Sequence, residues 1–180
     1  MTIWLTGLSG AGKSTLAACL SSILERAGRR VTVLDGDEIR AGLSWDLGFS
    51  PEDRHTNARR IAYLIKLLER NDVIPIVAAV SPYRKDREEG RKAASNFVEI
   101  YVKCSLEVLI TRDPKGLYRK ALNGEITNFT GISDPYEEPL NPDILVETDK
   151  LTIDQSLNYI VERLEQLGYL DHQYENDKDW

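Results

Sequence analysis

An apolar run at Ile3 to Leu5 leads directly into Gly7-Leu8-Ser9-Gly10-Ala11-Gly12-Lys13-Ser14-Thr15, which opens an amphipathic segment. This stretch constrains the fold most, because G-x-x-x-x-G-K-S/T between a strand and a helix is the pattern of a phosphate-binding loop. Gly7, Gly10 and Gly12 have no Cβ, so the backbone there can take positive φ and turn its N–H groups inward around a polyphosphate. A helix starting near Lys13 adds the positive end of its dipole at the same place. Lys13 is expected to reach the β/γ-phosphates and the Ser14 hydroxyl to ligate Mg²⁺. The bland alternative is a glycine-rich turn without a ligand; spacing, preceding strand and following helix all argue against it.

The rest of the chain alternates short apolar runs with helical patterns, which predicts a parallel sheet with helices on both faces. Strands are predicted at residues 2–6, 31–34, 73–80, 98–104 and 144–147. The first helix carries Leu16, Leu20, Ile23, Leu24 and Ala27 at helical spacing and stops at Gly28. A second begins at Pro51 behind the cap residue Ser50, with Asp53 at its third position, and runs to about residue 71. Others are expected from Pro82 to about residue 96, over 106–111, and over 153–167 before Gly168. Pro75 is tolerable near the start of its strand, where one donor can be missing. Residues 112–139 read as a long irregular segment, the pattern of a lid or binding loop. A single domain is expected over residues 1–170, with a loosely held polar tail at 171–180.

A formal charge of -6 argues against a nucleic-acid-coating surface but leaves small anionic substrates open. No apolar run approaches the ~18 residues of a membrane span, and no leader pattern is recognisable, so a cytoplasmic location is expected. Cys19 and Cys104 have no metal-ligand or CxxC spacing and read as small buried apolar residues. His55 and His172 have no ligand spacing either and read as surface residues.

The position of the acids narrows the chemistry. A motor or hydrolytic switch would carry an acid at the end of the strand beside the phosphate loop, to hold Mg²⁺ and organise water. Here the run at 73–80 ends in Ser81, while Asp35 and Asp37 follow the strand at 31–34. In a parallel α/β sheet, residues at the carboxyl ends of strands share one crevice, so these acids should face the phosphate loop. That favours a small-molecule kinase. Asp35 has a competing role, holding the strand-to-helix turn.

Asp35-Gly36-Asp37 with Arg40, Asp46-Leu47-Gly48-Phe49-Ser50, Asp53-Arg54 with Asn57, Arg59 and Arg60, and Ser81-Pro82-Tyr83-Arg84 resemble adenylylsulfate kinase. So, most specifically, do Asp113-Pro114-Lys115-Gly116-Leu117-Tyr118 and Asn128-Phe129-Thr130-Gly131-Ile132. The resemblance covers nearly the whole chain. It implies a P-loop NTPase-type three-layer α/β fold with a five-stranded parallel sheet and a mobile lid over about 112–139. It also implies ATP-dependent phosphorylation of the ribose 3′-hydroxyl of adenosine 5′-phosphosulfate (APS), giving PAPS and ADP, with Mg²⁺ held through Ser14 and Asp37. In the family, positions matching Asp37, Arg40, Phe49, Arg54, Asn57, Val80, Ser81, Lys115, Asn128 and Phe129 surround this acceptor. Arg112 joins the loop residues Gly7 to Thr15 on the nucleotide, and Lys13, Asp37 and Ser81 are the catalytic candidates. A homodimer and a functional link to ATP sulfurylase are further implications.

The residue types suit that acceptor. Phe49 and Phe129 offer flat faces to adenine, Arg40 and Arg54 forked donors to the phosphosulfate, and Lys115 and Arg119 positive charge on the lid. Phe49 has a core role as its alternative. Arg59 and Arg60 are consecutive on a helix, so at least one is solvated or ion-paired. Ser81 matches the family position proposed to carry a phosphoserine. Its rival role is to cap a helix beginning at Pro82, since a nucleophilic serine needs a base and no histidine is near in sequence. Two departures stand out: Thr56 in place of a usual Glu before Asn57, and Val80 where Ile is common. The rival functions are a kinase of another small hydroxyl compound and a catalytically silent nucleotide-binding partner of ATP sulfurylase.

Overall fold

The computed structural model describes residues 1–170; the expected tail at 171–180, with His172, lies outside the described residues. Strand β1 (Thr2–Thr6) is buried along its whole length, as a strand covered on both faces must be. It pairs in parallel with β3 (Ile74–Ala78) on one side and β4 (Phe97–Lys103) on the other. Strand β2 (Val31–Asp35) adds to β3 and β5 (Ile144–Glu147) to β4, so the order is β2-β3-β1-β4-β5. Alternate side chains of β1 feed two cores. Ile3 and Leu5 pack with Leu16, Leu20 and Leu24 of α1 (Lys13–Arg26) and Leu157, Ile160 and Leu164 of α7 (Ile153–Gln166). Trp4 points the other way, to Ile61 and Ile65 of α3 (Pro51–Glu69). The three layers follow from this period of two.

Local signals act as the sequence suggests. Ser50 Oγ accepts from the Asp53 N–H at 3.1 Å with Pro51 in the first turn, and Gly28 ends α1 at φ 72°. Pro75 is second in β3, opposite Thr32.

Four boundaries differ. A short helix, α2 (Gly36–Ala41), follows β2 directly, with Asp35 as its cap. Strand β3 stops at Ala78, because the chain turns at Ser81, whose φ is 44°. The next helix, α4 (Arg84–Ala93), therefore starts beyond Pro82; Tyr83 occupies its cap position, and the expected capping role of Ser81 does not hold. After α5 (Leu106–Arg112), the segment expected to be irregular contains α6 (Leu117–Leu122). The Asp113 carboxylate starts that helix by accepting the N–H groups of Tyr118 and Arg119, each at 3.0 Å.

Candidate active site

The loop between β1 and α1 has the geometry its glycines predict, with φ of 150° at Gly7, 76° at Gly10 and 99° at Gly12. At Gly7 a Cβ would lie 2.2 Å from the Val102 carbonyl oxygen, so no other residue fits. Lys13 is buried and donates from Nζ to the Leu8 carbonyl at 2.8 Å. Burial, reinforced by the charge of Lys115, lowers its ammonium pKa to about 8. Ser14 Oγ donates to Asp35 Oδ2 at 2.5 Å, and Asp35 Oδ1 accepts the Asp37 N–H at 2.8 Å. Asp35 thus holds its turn and also reaches the phosphate loop, a link the sequence alone left open.

A cleft of about 300 Å³ runs from this loop over the ends of β2 and β3. Ser9, Gly10, Gly12, Lys13, Ser14, Thr15, Asp37, Arg40, Phe49, Arg54, Asn57, Val80, Ser81 and Lys115 all line it, as does Asp35. Gly7, Leu8 and Ala11 belong to the loop behind its wall. Phe49 is 53% exposed, which answers the core alternative, and Arg40 Cζ lies 4.4 Å from its ring centroid. The fork of Arg54 is less free than its sequence role suggests. Its Nε donates to the Phe49 carbonyl at 3.0 Å and its Nη2 to the Asn128 carbonyl at 2.6 Å. Desolvation lowers the pKa of Arg54, with Asp134 opposing, and that of Arg40, with Arg54 adding to the effect.

Two polar atoms on this wall, Asn57 Oδ1 and Asp86 Oδ2, are buried with no hydrogen-bond partner. Buried acceptors in this condition call for a donor from a ligand or water. The other oxygen of Asp86 pairs with His55 Nδ1 at 2.8 Å, so His55 is half-buried and not the free surface residue the sequence suggested. Arg60 is ion-paired with Asp46, which leaves Arg59 as the exposed member of that pair.

The segment after α5 folds over the cleft. Lys115 pairs with Asp37, joining the lid to the acidic rim. Tyr118, a buried residue of the lid helix α6, donates its hydroxyl to the Ser9 carbonyl at 2.8 Å. Phe129 packs edge-on against the Tyr118 ring at 5.1 Å, and neither it nor Asn128 lines the cleft. The backbone of Asn128, at φ 55°, instead presents its carbonyl to Arg54. Arg119 is exposed and off the wall. Arg112 lies at the far end of the phosphate loop, donating to the Thr148 carbonyl at 2.9 Å, while Thr148 Oγ1 donates to the Ala11 carbonyl. Sequence reasoning missed Asp86, which lines the cleft two residues beyond the Ser81-Pro82-Tyr83-Arg84 segment, and the bond by which Tyr118, inside a segment that carries the resemblance, supports the phosphate loop from behind. Cys104 is buried, which raises its thiol pKa, and Cys19 is partly buried against the same core.

Comparison with known proteins agrees with this geometry. A family model described as Adenylylsulphate kinase matches residues 1–147. The adenylyl-sulfate kinase of Rippkaea orientalis is 55% identical over 170 residues, 94% of each chain. A probable bifunctional SAT/APS kinase of Sorangium cellulosum is also 55% identical, over 93% of this chain; the match spans 29% of that longer protein. The solved structure of the Mycobacterium tuberculosis APS kinase in complex with AMPPNP and APS is 42% identical. It superposes with a TM-score of 0.87 over 91% of this chain and 96% of that one. With a phosphate loop, an acidic rim and a tethered lid arranged on a matching five-stranded sheet, the chain belongs to the adenylylsulphate kinase family.

Proposed function

We propose that this protein transfers the terminal phosphoryl group of ATP to the ribose 3′-hydroxyl of adenosine 5′-phosphosulfate, giving PAPS and ADP. The observation that carries the reading is that one cleft is lined both by the phosphate loop with Lys13 and by Asp37 with the acceptor wall. The relative solved with AMPPNP and APS supports a nucleotide and an acceptor held together in one site.

On this reading the loop from Gly7 to Thr15 cradles the phosphates with its N–H groups, and Arg112 stands at the base end of the nucleotide. Lys13, buried beside the Leu8 carbonyl, stabilises charge on the migrating group and regains full protonation as the phosphates enter. Ser14, Asp35 and Asp37 offer hard oxygens at the rim, and among the described residues no group of three or more His, Cys, Asp or Glu side chains forms a metal cage. That set fits Mg²⁺, which keeps several waters and is shared between one or two protein oxygens and substrate phosphates. When bound, the ion neutralises charge between the phosphoryl groups. Asp37 orients the 3′-hydroxyl once Lys115 leaves it for the phosphoryl group. Arg40 and the remaining donor of Arg54 take the phosphosulfate, Asn57 bridges sugar or anion oxygens, and Val80 and Ser81 close the wall. Phe49 stacks on adenine from its exposed position; Phe129 joins it only when the lid moves its ring away from Tyr118.

Two unpaired cysteines and the need for ATP fit work in the cytoplasm. A homodimer and a functional link to ATP sulfurylase complete the proposal; the longer SAT/APS kinase relative supports the link. Purified protein with ATP, Mg²⁺ and a panel of acceptors tests the activity. PAPS is the expected product. Another phosphorylated product would establish a different acceptor, and ATP binding without transfer would establish a silent module.

A further inference from the structure

Past the end of β3, three consecutive carbonyls are each captured from behind the cleft. The Val80 oxygen accepts from Thr6 Oγ1 at 2.7 Å, the Ser81 oxygen from Arg87 Nη1 at 2.7 Å, and the Pro82 oxygen from the Glu137 N–H at 2.8 Å. Ser81 sits between them at φ 44°, a conformation that a non-glycine residue holds only when its surroundings impose it. Arg87 is 3% exposed and uses its whole fork. Besides Ser81, Nη2 donates to the Glu137 carbonyl at 2.7 Å and Nε to Glu99 Oε1 at 2.8 Å. Glu99 lies on β4, and Glu137 in the irregular stretch at the end of the lid. One buried guanidinium therefore joins the acceptor wall, the base of the lid and the sheet.

We propose that Arg87 is a positioning residue for the acceptor: it holds Ser81 in its left-handed turn and registers the end of the lid against that turn. The inference rests on the kinase reading given above. Arg87 does not line the cleft and touches no substrate atom on that reading; it acts through the Ser81 and Glu137 carbonyls. Three acceptors in three directions require a planar fork, so lysine, a single point of charge, cannot replace it. Glu99 supplies the counter-charge that keeps the guanidinium buried, with Arg91 Nη2 at 3.4 Å from its second oxygen. With the pin gone, Ser81 relaxes toward ordinary φ and the wall moves. The phosphate loop, across β1, has no contact with Arg87.

The test compares Arg87→Lys with the wild type in steady-state kinetics for both substrates, alongside direct binding of a non-hydrolysable ATP analogue. The expected result is a rise in the KM for adenylylsulfate of about tenfold or more, since small misplacements of a binding wall have effects of this size. The dissociation constant of the ATP analogue should stay within about twofold, because that site is untouched. An unchanged acceptor KM in a folded variant overturns the proposal, as does an equal loss of ATP-analogue affinity, which would mark Arg87 as merely structural. Because replacing Arg87 leaves the buried Glu99 with only the longer contact to Arg91, the double variant Arg87→Met with Glu99→Gln is measured in parallel, removing both charges together. It should reproduce the acceptor-selective loss at near wild-type melting temperature, and wild-type acceptor KM in it refutes the idea. Failure of the wild-type protein to form PAPS would instead strike the parent reading, so the two failures are told apart.

Discussion

Replacing Gly90 by alanine sets two effects of opposite sign against each other. Gly90 lies inside α4, where alanine is the better helix former by about 1 kcal/mol, so propensity alone predicts stabilisation. A Cβ there would, however, stand 2.5 Å from Cζ3, 2.9 Å from Cε3 and 3.2 Å from Cη2 of Trp4. Carbon atoms rest at ~3.5–4.0 Å, so a gap of roughly 1 Å must open. Trp4 has no room to retreat: it is wholly buried, and its ring leans on Phe97 at a centroid distance of 5.8 Å. Overpacking of a close-packed core costs ~1–3 kcal/mol, and contact with a rigid, enclosed ring belongs in the upper half of that range. Subtracting the propensity gain leaves a net destabilisation of about 1–2 kcal/mol, or a fall in Tm of roughly 2–8 °C for a domain of this size. Thermal unfolding by circular dichroism or calorimetry reads this directly. Adding Trp4→Phe removes the ring atoms that clash, so the pair should lose less stability than the two single changes summed. Because Arg87 lies one turn before Gly90, pushing α4 outward should also raise the acceptor KM. A Gly90→Ala protein with unchanged or higher Tm would refute the reasoning.

Other outcomes follow from the site. Lys13→Ala and Asp37→Ala should each abolish PAPS formation in a product assay, the first by removing charge at the phosphoryl group and the second by disorienting the acceptor hydroxyl; near-normal turnover in Asp37→Ala would show that role to be wrong. Phe49→Ala should raise the adenylylsulfate KM by about tenfold, consistent with ~1–3 kcal/mol of base stacking, and leave Tm nearly unchanged because the ring is exposed. Phe129→Ala should raise the same KM, leave ATP binding by the free enzyme largely intact, and lower Tm, because its ring packs on Tyr118. Ser81→Ala should keep measurable transfer, and a chiral γ-phosphorus should emerge inverted, whereas retention would establish a phosphoserine intermediate.

The parallel sheet, the phosphate loop and the first two long helices were legible because local signals and tertiary packing agree there. The apolar strands are covered on both faces, the loop glycines have strict steric reasons, and Ser50 caps as its position suggests. What escaped was decided by contacts distant in sequence. Ser81 before Pro82 reads as a helix start, yet Arg87 and Thr6 hold this turn away from helical geometry, and the helix begins at Arg84. Lid helix α6 was hidden because its start signal is Asp113, four residues ahead of the first helical position. Phe129 reads as a base-stacking ring because it is isolated among polar residues. Its partner in the structure, Tyr118, is supplied by that hidden helix.

The order of the strands explains why this chemistry tolerates serine where a hydrolytic switch would need an acid. Strand β3 lies between β1, which carries the phosphate loop, and β2, which carries the acids. A carboxylate at the end of β3 would stand directly beside the phosphate loop, where it could organise water for attack. Moving the acids one strand outward leaves room above β3 for an acceptor, and the cleft occupies that space, with Val80 and Ser81 on its wall. Asp35 still reaches inward to Ser14 through its side chain, so a pair of hard oxygens stays by the loop while Asp37, two residues on, meets the lid through Lys115. The end of β3 then needs backbone held in a fixed direction more than it needs a charged side chain. Thr6, Arg87 and Glu137 hold it from behind. A carboxylate introduced by Ser81→Asp would meet the phosphosulfate with like charge, so it should suppress acceptor binding by far more than Ser81→Ala does.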